Sequence, residues 1–111
     1  PGNVREYSNG ENAFRYFANQ IEENGLYLLD EPENSLSPVR QLELVQFIED
    51  SARFFGCQFI ISTHSPFLLA LKEARIYDLD TQPVVSKKWT ELENVRTYYA
   101  FFQKYQEEFR N

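Results

Sequence analysis

The chain has 111 residues, 42% of them hydrophobic and 16% aromatic, which supports one small packed domain and excludes a disordered segment. Its net charge of −6, with no basic cluster denser than Lys87-Lys88, offers no broad cationic face for nucleic acid. The single cysteine, Cys57, rules out an internal disulfide and fits a reducing cytoplasm, and no apolar run reaches the roughly 18–20 residues of a membrane span.

In chain order, residues 8–25 carry a helical pattern. Ser8 is placed as N-cap with Glu11 three residues on, Phe14, Phe17, Ala18 and Ile21 form an apolar stripe, and Gly25 is placed as the left-handed stop. Residues 26–30, LYLLD, are a short apolar run of the kind buried on both faces of a parallel sheet. Ser37-Pro38 opens a second helix, with Leu42, Val45, Ile48, Ala52 and Phe55 at helical spacing and Gly56 ending it. Residues 58–62, QFIIS, form the next strand, so strand, helix and strand make a βαβ unit with parallel strands. Pro66 starts a short helix to about Lys72. Residues 75–79 give a third strand, 84–87 a weaker fourth, and 91–109 a long amphipathic helix carrying Leu92, Val95, Tyr99, Phe102 and Phe109. The expectation is an α/β domain whose parallel sheet has three to four strands flanked by helices.

Three constellations carry chemistry. Asp30 and Glu31 stand at the C-terminal end of the first strand, the edge at which open parallel sheets bind ligands. An Asp there can hold Mg²⁺ through oxygen, and the following Glu can accept a proton from a water that attacks a phosphoryl group. Two acids ending a strand are also common as a solvated pair. His64, at the end of the second strand in QFIISTHSP, lies on the same sheet edge and is a candidate polar sensor. Ser8-Asn9-Gly10-Glu11 opens a helix, where free N–H groups favour a phosphate, although an ordinary capping box explains it as well.

Together and in this order, these pieces resemble the C-terminal half of an ATP-binding-cassette-type ATPase. LYLLDEPE resembles that family's Walker B strand with its catalytic Glu, ENSLSP its D-loop, STHSP its switch-histidine motif and YSNGE its signature motif, so the likeness spans residues 7–79. The resemblance implies a partial P-loop NTPase fold that uses ATP and Mg²⁺. It implies that Asp30 helps bind the metal, that Glu31 orients the attacking water, and that His64 contacts the γ-phosphate. Ser8 and Gly10 would bind nucleotide held by the opposite subunit of a homodimer. Asn34 to Ser37 would cross that interface, with Ser37 counted among the nucleotide-site residues. Ser37 replaces an Asp common in the family, SNGE replaces Ser-Gly-Gly-Gln, and TQPVVSKKWTELENV stands where transporters carry a Gly-containing hairpin. These departures resemble the soluble bacterial ATPases related to recombination and chromosome-maintenance enzymes.

A phosphate-binding loop, G-x-x-x-x-G-K-[ST], does not occur in these 111 residues, and the sequence holds no methionine. The expectation is therefore a C-terminal part of one ATPase domain from a longer, cytoplasmic polypeptide. Residues 1–111 alone should have negligible ATP affinity, while the parent hydrolyses ATP and acts with DNA or another protein. Two other readings remain open: the nucleotide-binding subunit of a membrane transporter, and a noncatalytic oligomerisation module.

Overall fold

The computed structural model describes residues 22–110 and divides the chain into two compact units, Pro1–Lys72 and Glu73–Asn111. The helix expected from Ser8, with the Ser8–Gly10 motif, lies outside the described residues.

In the first unit, strand β1 is Leu26–Asp30, helix α1 is Pro38–Phe55, β2 is Gln58–Ser62 and the single-turn helix α2 is Pro66–Leu69. A 3₁₀ turn over Pro32–Ser35 joins β1 to α1. β1 and β2 pair in parallel, with Tyr27 opposite Phe59, Leu29 opposite Ile61 and Asp30 opposite Ser62. Ser37 caps α1, its side chain accepting from the Arg40 N–H, with Pro38 in the first turn, where a missing N–H costs nothing. Gly56 ends the helix at φ 66°, a left-handed position in which its N–H donates to the Ser51 carbonyl.

At the entrance to β1 the left-handed residue is Asn24 (φ 57°) and not Gly25. Asn tolerates that conformation, and its N–H donates to the Phe55 carbonyl at 2.7 Å, tying the end of α1 to the start of β1. Gly25 serves a different need, because a Cβ there would overlap the Tyr27 ring. The Tyr27 hydroxyl in turn accepts from the Glu22 N–H at 2.6 Å.

The core lies between α1, α2 and one face of the strand pair. Leu44, Ile48 and Leu68 are buried, with Leu29, Val45, Phe47, Phe59 and Ile61 packed against them. Side chains alternate across a strand, so Leu26, Leu28 and Ile60 stand on the other face, and all three are exposed. Burial of the strands on both faces, expected from the unbroken apolar runs, is thus not found among the described residues. The helix turns only part of the expected stripe inward, Ile48 being buried and Val45 packing against the core. Leu44, Ile48 and Ser51 are buried, whereas Leu42 and Phe55 are half exposed. No helix among the described residues is long and apolar enough to cross a membrane.

In the second unit, β3 (Ile76–Asp78) and β4 (Val85–Lys87) form an antiparallel hairpin, and helix α3 (Glu93–Lys104) follows a 3₁₀ turn over Trp89–Glu91. This corrects the expected parallel sheet of three to four strands: the described parallel sheet has two strands, and the other two pair with each other. The reason is connection length. Six residues separate β3 from β4, enough for a hairpin, whereas a parallel crossover needs about a dozen or more. Asp78 and Lys87 are diagonal neighbours on the hairpin and form an ion pair at 2.8 Å. The hydrogen bond to Lys87 holds the Asp78 carboxyl below its usual value, helped by the Asp80 N–H, and the same bond raises the Lys87 ammonium. Leu92 and Val95 are buried, while Tyr99, Phe102 and Phe109, expected on the inner face of the terminal helix, are exposed.

Candidate functional site

β1 does not stop cleanly at Asp30. The Glu31 N–H donates to the Ser62 carbonyl at 2.7 Å, so the ladder runs one residue further. Glu31 then adopts a left-handed backbone, φ 47° and ψ 55°. For a residue with a Cβ this costs about 1–2 kcal/mol, and such strain gathers at functional sites. It breaks the strand and swings the chain into the 3₁₀ turn, which is closed by Asn34 N–H to Glu31 O and Leu36 N–H to Glu33 O. The Asn34 side chain donates to Glu31 Oε1 at 3.2 Å and so holds one carboxylate oxygen.

β2 ends at the same edge and leads into Thr63, His64 and Ser65. Glu33 reaches across to this loop with both oxygens. Its Oε1 accepts from the Thr63 hydroxyl at 2.6 Å, and its Oε2 accepts from the His64 N–H at 2.9 Å. The Thr63 oxygen accepts from the Ser65 N–H at 3.0 Å, and the Ser65 hydroxyl donates to Gln41 Oε1 at 2.6 Å. Gln41 Nε2 returns to the Leu36 carbonyl at 3.0 Å. Both ends of the turn after β1 are thereby fastened to the loop after β2 through a closed circuit of side chains, and Ser65 within it is buried. Glu31, Glu33 and His64 each bring a potential ligand atom within 4.8 Å of the others.

Asp30, Glu31 and His64 are therefore gathered at one end of the parallel pair, as their positions in the sequence imply. Asp30 is exposed. Ser37 is placed as a helix cap, accepting from the Arg40 N–H at 3.3 Å. Ser8 and Gly10 lie outside the described residues. Sequence reasoning named Asn34 only as part of the segment crossing between copies, and missed Glu33, Thr63, Ser65 and Gln41. One signal for Glu33 was available: a third acid in DEPE, two residues past the strand's own acid pair, opposite a Thr-His loop.

The described residues thus present an α/β arrangement: a parallel strand pair with helices on one face, and acids and a histidine at its C-terminal edge. A solved chain from a study of ATP-driven dimerization and DNA-stimulated activation of SMC ATPases shares that fold, with a TM-score of 0.56 at 17% identity. The match covers 86% of this chain and 56% of that one, so the chain spans little more than half the length of the solved ATPase. No curated protein matches the sequence. The family model described as "AAA domain, putative AbiEii toxin, Type IV TA system" matches residues 3–70, and the chain belongs to that family.

Proposed function

We propose that this chain supplies the metal- and water-handling part of an ATPase that binds and hydrolyses ATP at composite sites between two copies, in the cytoplasm. The observation that carries the reading is the meeting of Glu31 and His64, within 4.8 Å, at the edge where two adjacent parallel strands end. That edge is where open parallel sheets bind ligands.

The donor chemistry fits Mg²⁺. Asp30 is an exposed carboxylate, and its side chain has no hydrogen bond or ion pair among the described residues. It offers the oxygen that a hard cation takes. Glu33 is a poorer ligand, since both its oxygens already accept hydrogen bonds. Bound Mg·ATP would supply the electrophilic phosphorus and neutralise phosphate charge. Glu31, steadied at Oε1 by Asn34, uses its other oxygen to orient a water and accept its proton. His64 donates a hydrogen bond toward the γ-phosphate oxygens. Ser8 and Gly10 face nucleotide held by the other copy, and the Asn34–Ser37 segment crosses between copies. The load driven by the cycle is DNA or another protein; support for this lies in the shared fold with an ATPase family studied for dimerization and DNA stimulation.

The test is Glu31→Gln in the full-length protein. Loss of general-base assistance should lower ATP turnover about 10²–10⁴-fold. Binding of a fluorescent ATP analogue should stay within a few-fold of wild type. Unchanged turnover refutes the assignment.

A further inference from the structure

We infer that Glu33 is a positioning residue, a brace that sets where His64 stands relative to Glu31. This rests on the ATPase reading for its purpose, though the brace itself is a matter of geometry.

Glu33 sits on the turn directly after Glu31, and its two oxygens are used on two consecutive residues of the facing loop, the Thr63 side chain and the His64 backbone. A bond to a side chain alone would leave the loop free to pivot. A second bond to the next residue's N–H fixes both the distance and the angle of approach. The His64 backbone is therefore held by a residue two positions from the strained Glu31, so the candidate base and the candidate phosphate sensor share one rigid frame. The far side of the frame is closed by Ser65, Gln41 and the Leu36 carbonyl. A carboxylate with both oxygens so engaged is a strong acceptor, because hydrogen bonds to ionised groups exceed neutral ones.

The chemistry separates reach from charge. Glu33→Gln keeps the length: its amide oxygen can accept from the His64 N–H, and its amide nitrogen can donate to the Thr63 oxygen. Glu33→Asp keeps the charge and loses one methylene of reach. A brace tolerates the first and fails with the second. A metal ligand or a proton acceptor would show the opposite order.

The experiment measures hydrogen–deuterium exchange and ATP turnover on the full-length protein and its Glu33 variants. Glu33→Ala and Glu33→Asp should speed exchange at the His64 amide by about tenfold or more, the scale of a lost hydrogen bond to a charged acceptor. Segments in α1 around Leu44–Ser51 should keep their protection, which separates local release from general loosening. In the same variants kcat should fall about tenfold or more while KM for ATP changes little, since a misplaced sensor affects the transition state more than ground-state binding. Glu33→Gln should recover most of both losses. Unchanged His64 exchange in Glu33→Ala, or rescue by Asp but not by Gln, overturns the brace. Should the wild type prove devoid of ATP turnover, the ATPase reading falls and the catalytic purpose of the brace with it, while the exchange measurement still decides whether Glu33 holds His64.

Discussion

Ser65→Ala probes the closed circuit at its most buried point. Ser65 is 4% exposed. Its hydroxyl caps α2 by accepting from the Leu68 N–H at 3.4 Å and donates to Gln41 Oε1 at 2.6 Å. Loss of a helix N-cap costs about 1 kcal/mol. The cap here is long, so about 0.5 kcal/mol is the fairer share. The short bond to Gln41 is worth about 1 kcal/mol, and a partly buried acceptor left without its donor adds to that. The substitution should therefore destabilise the first unit by about 1.5–2 kcal/mol. Trp89 lies in the second unit, so its fluorescence would follow the wrong part of the chain. Urea unfolding read by far-ultraviolet circular dichroism, to which the 18-residue α1 contributes strongly, follows the right one. Gln41→Ala on the Ser65→Ala background should cost about 1 kcal/mol less than the sum of the single changes, because the two residues share one bond. A loss below about 0.5 kcal/mol for Ser65→Ala, or strict additivity in the double variant, would refute the circuit.

Three further outcomes follow from the same geometry. Glu31→Gly should relieve the left-handed backbone and raise stability by up to about 1 kcal/mol in urea unfolding, while ATP turnover in the full-length protein collapses. Leu44→Ala, at a buried position, should cost about 2–5 kcal/mol, whereas Leu42→Ala, at a half-exposed position on the same helix, should cost well under half of that. In the second unit, Asp78 has a lowered pKa and Lys87 a raised one. Their contribution should be present from above the ordinary Asp value of 3.8 to below the ordinary Lys value of 10.5. It is lost as pH falls through the depressed Asp78 pKa or rises through the elevated Lys87 pKa. Lys87→Met should abolish the alkaline dependence and weaken the acid one, leaving the share that the Asp80 N–H supplies, read from hairpin amide shifts against pH.

The βαβ core was legible because its signals are local. Ser37 and Pro38 mark a helix start by capping and fixed φ, Gly56 marks its end, and LYLLD and QFIIS are too short and too apolar for anything but strands. Asp30, Glu31 and His64 could be placed together because parallel strands end at one edge. The inward side of α1 was legible only in part: Val45 and Ile48 were expected there and Leu44 was not. Apolar residues stand on several of its sides, Val39, Leu42 and Phe54 among them, so periodicity picks no single stripe, and packing against Leu68 is what adds Leu44 beside Ile48. Glu33 was missed for another reason: its partners lie 30 and 31 residues away, and no spacing rule links a turn to a loop across that distance. The third and fourth strands were legible as strands but not as a hairpin, because an extended segment does not announce which neighbour it will pair with.

Each described sheet has two strands, so among the described residues every strand is paired along one side only. An edge presents a row of backbone donors and acceptors that templates the addition of another strand. For β1 and β2 the outward face compounds this with Leu28 and Ile60, which are 60% and 56% exposed. Strand addition between chains is a second-order process, so its rate rises with the square of concentration, unlike folding, whose rate per chain is independent of it. For residues 1–111 handled in isolation this sets a contest decided by dilution: refolding at low concentration favours the single chain, and concentrating it favours growth wherever a strand side is left unpaired.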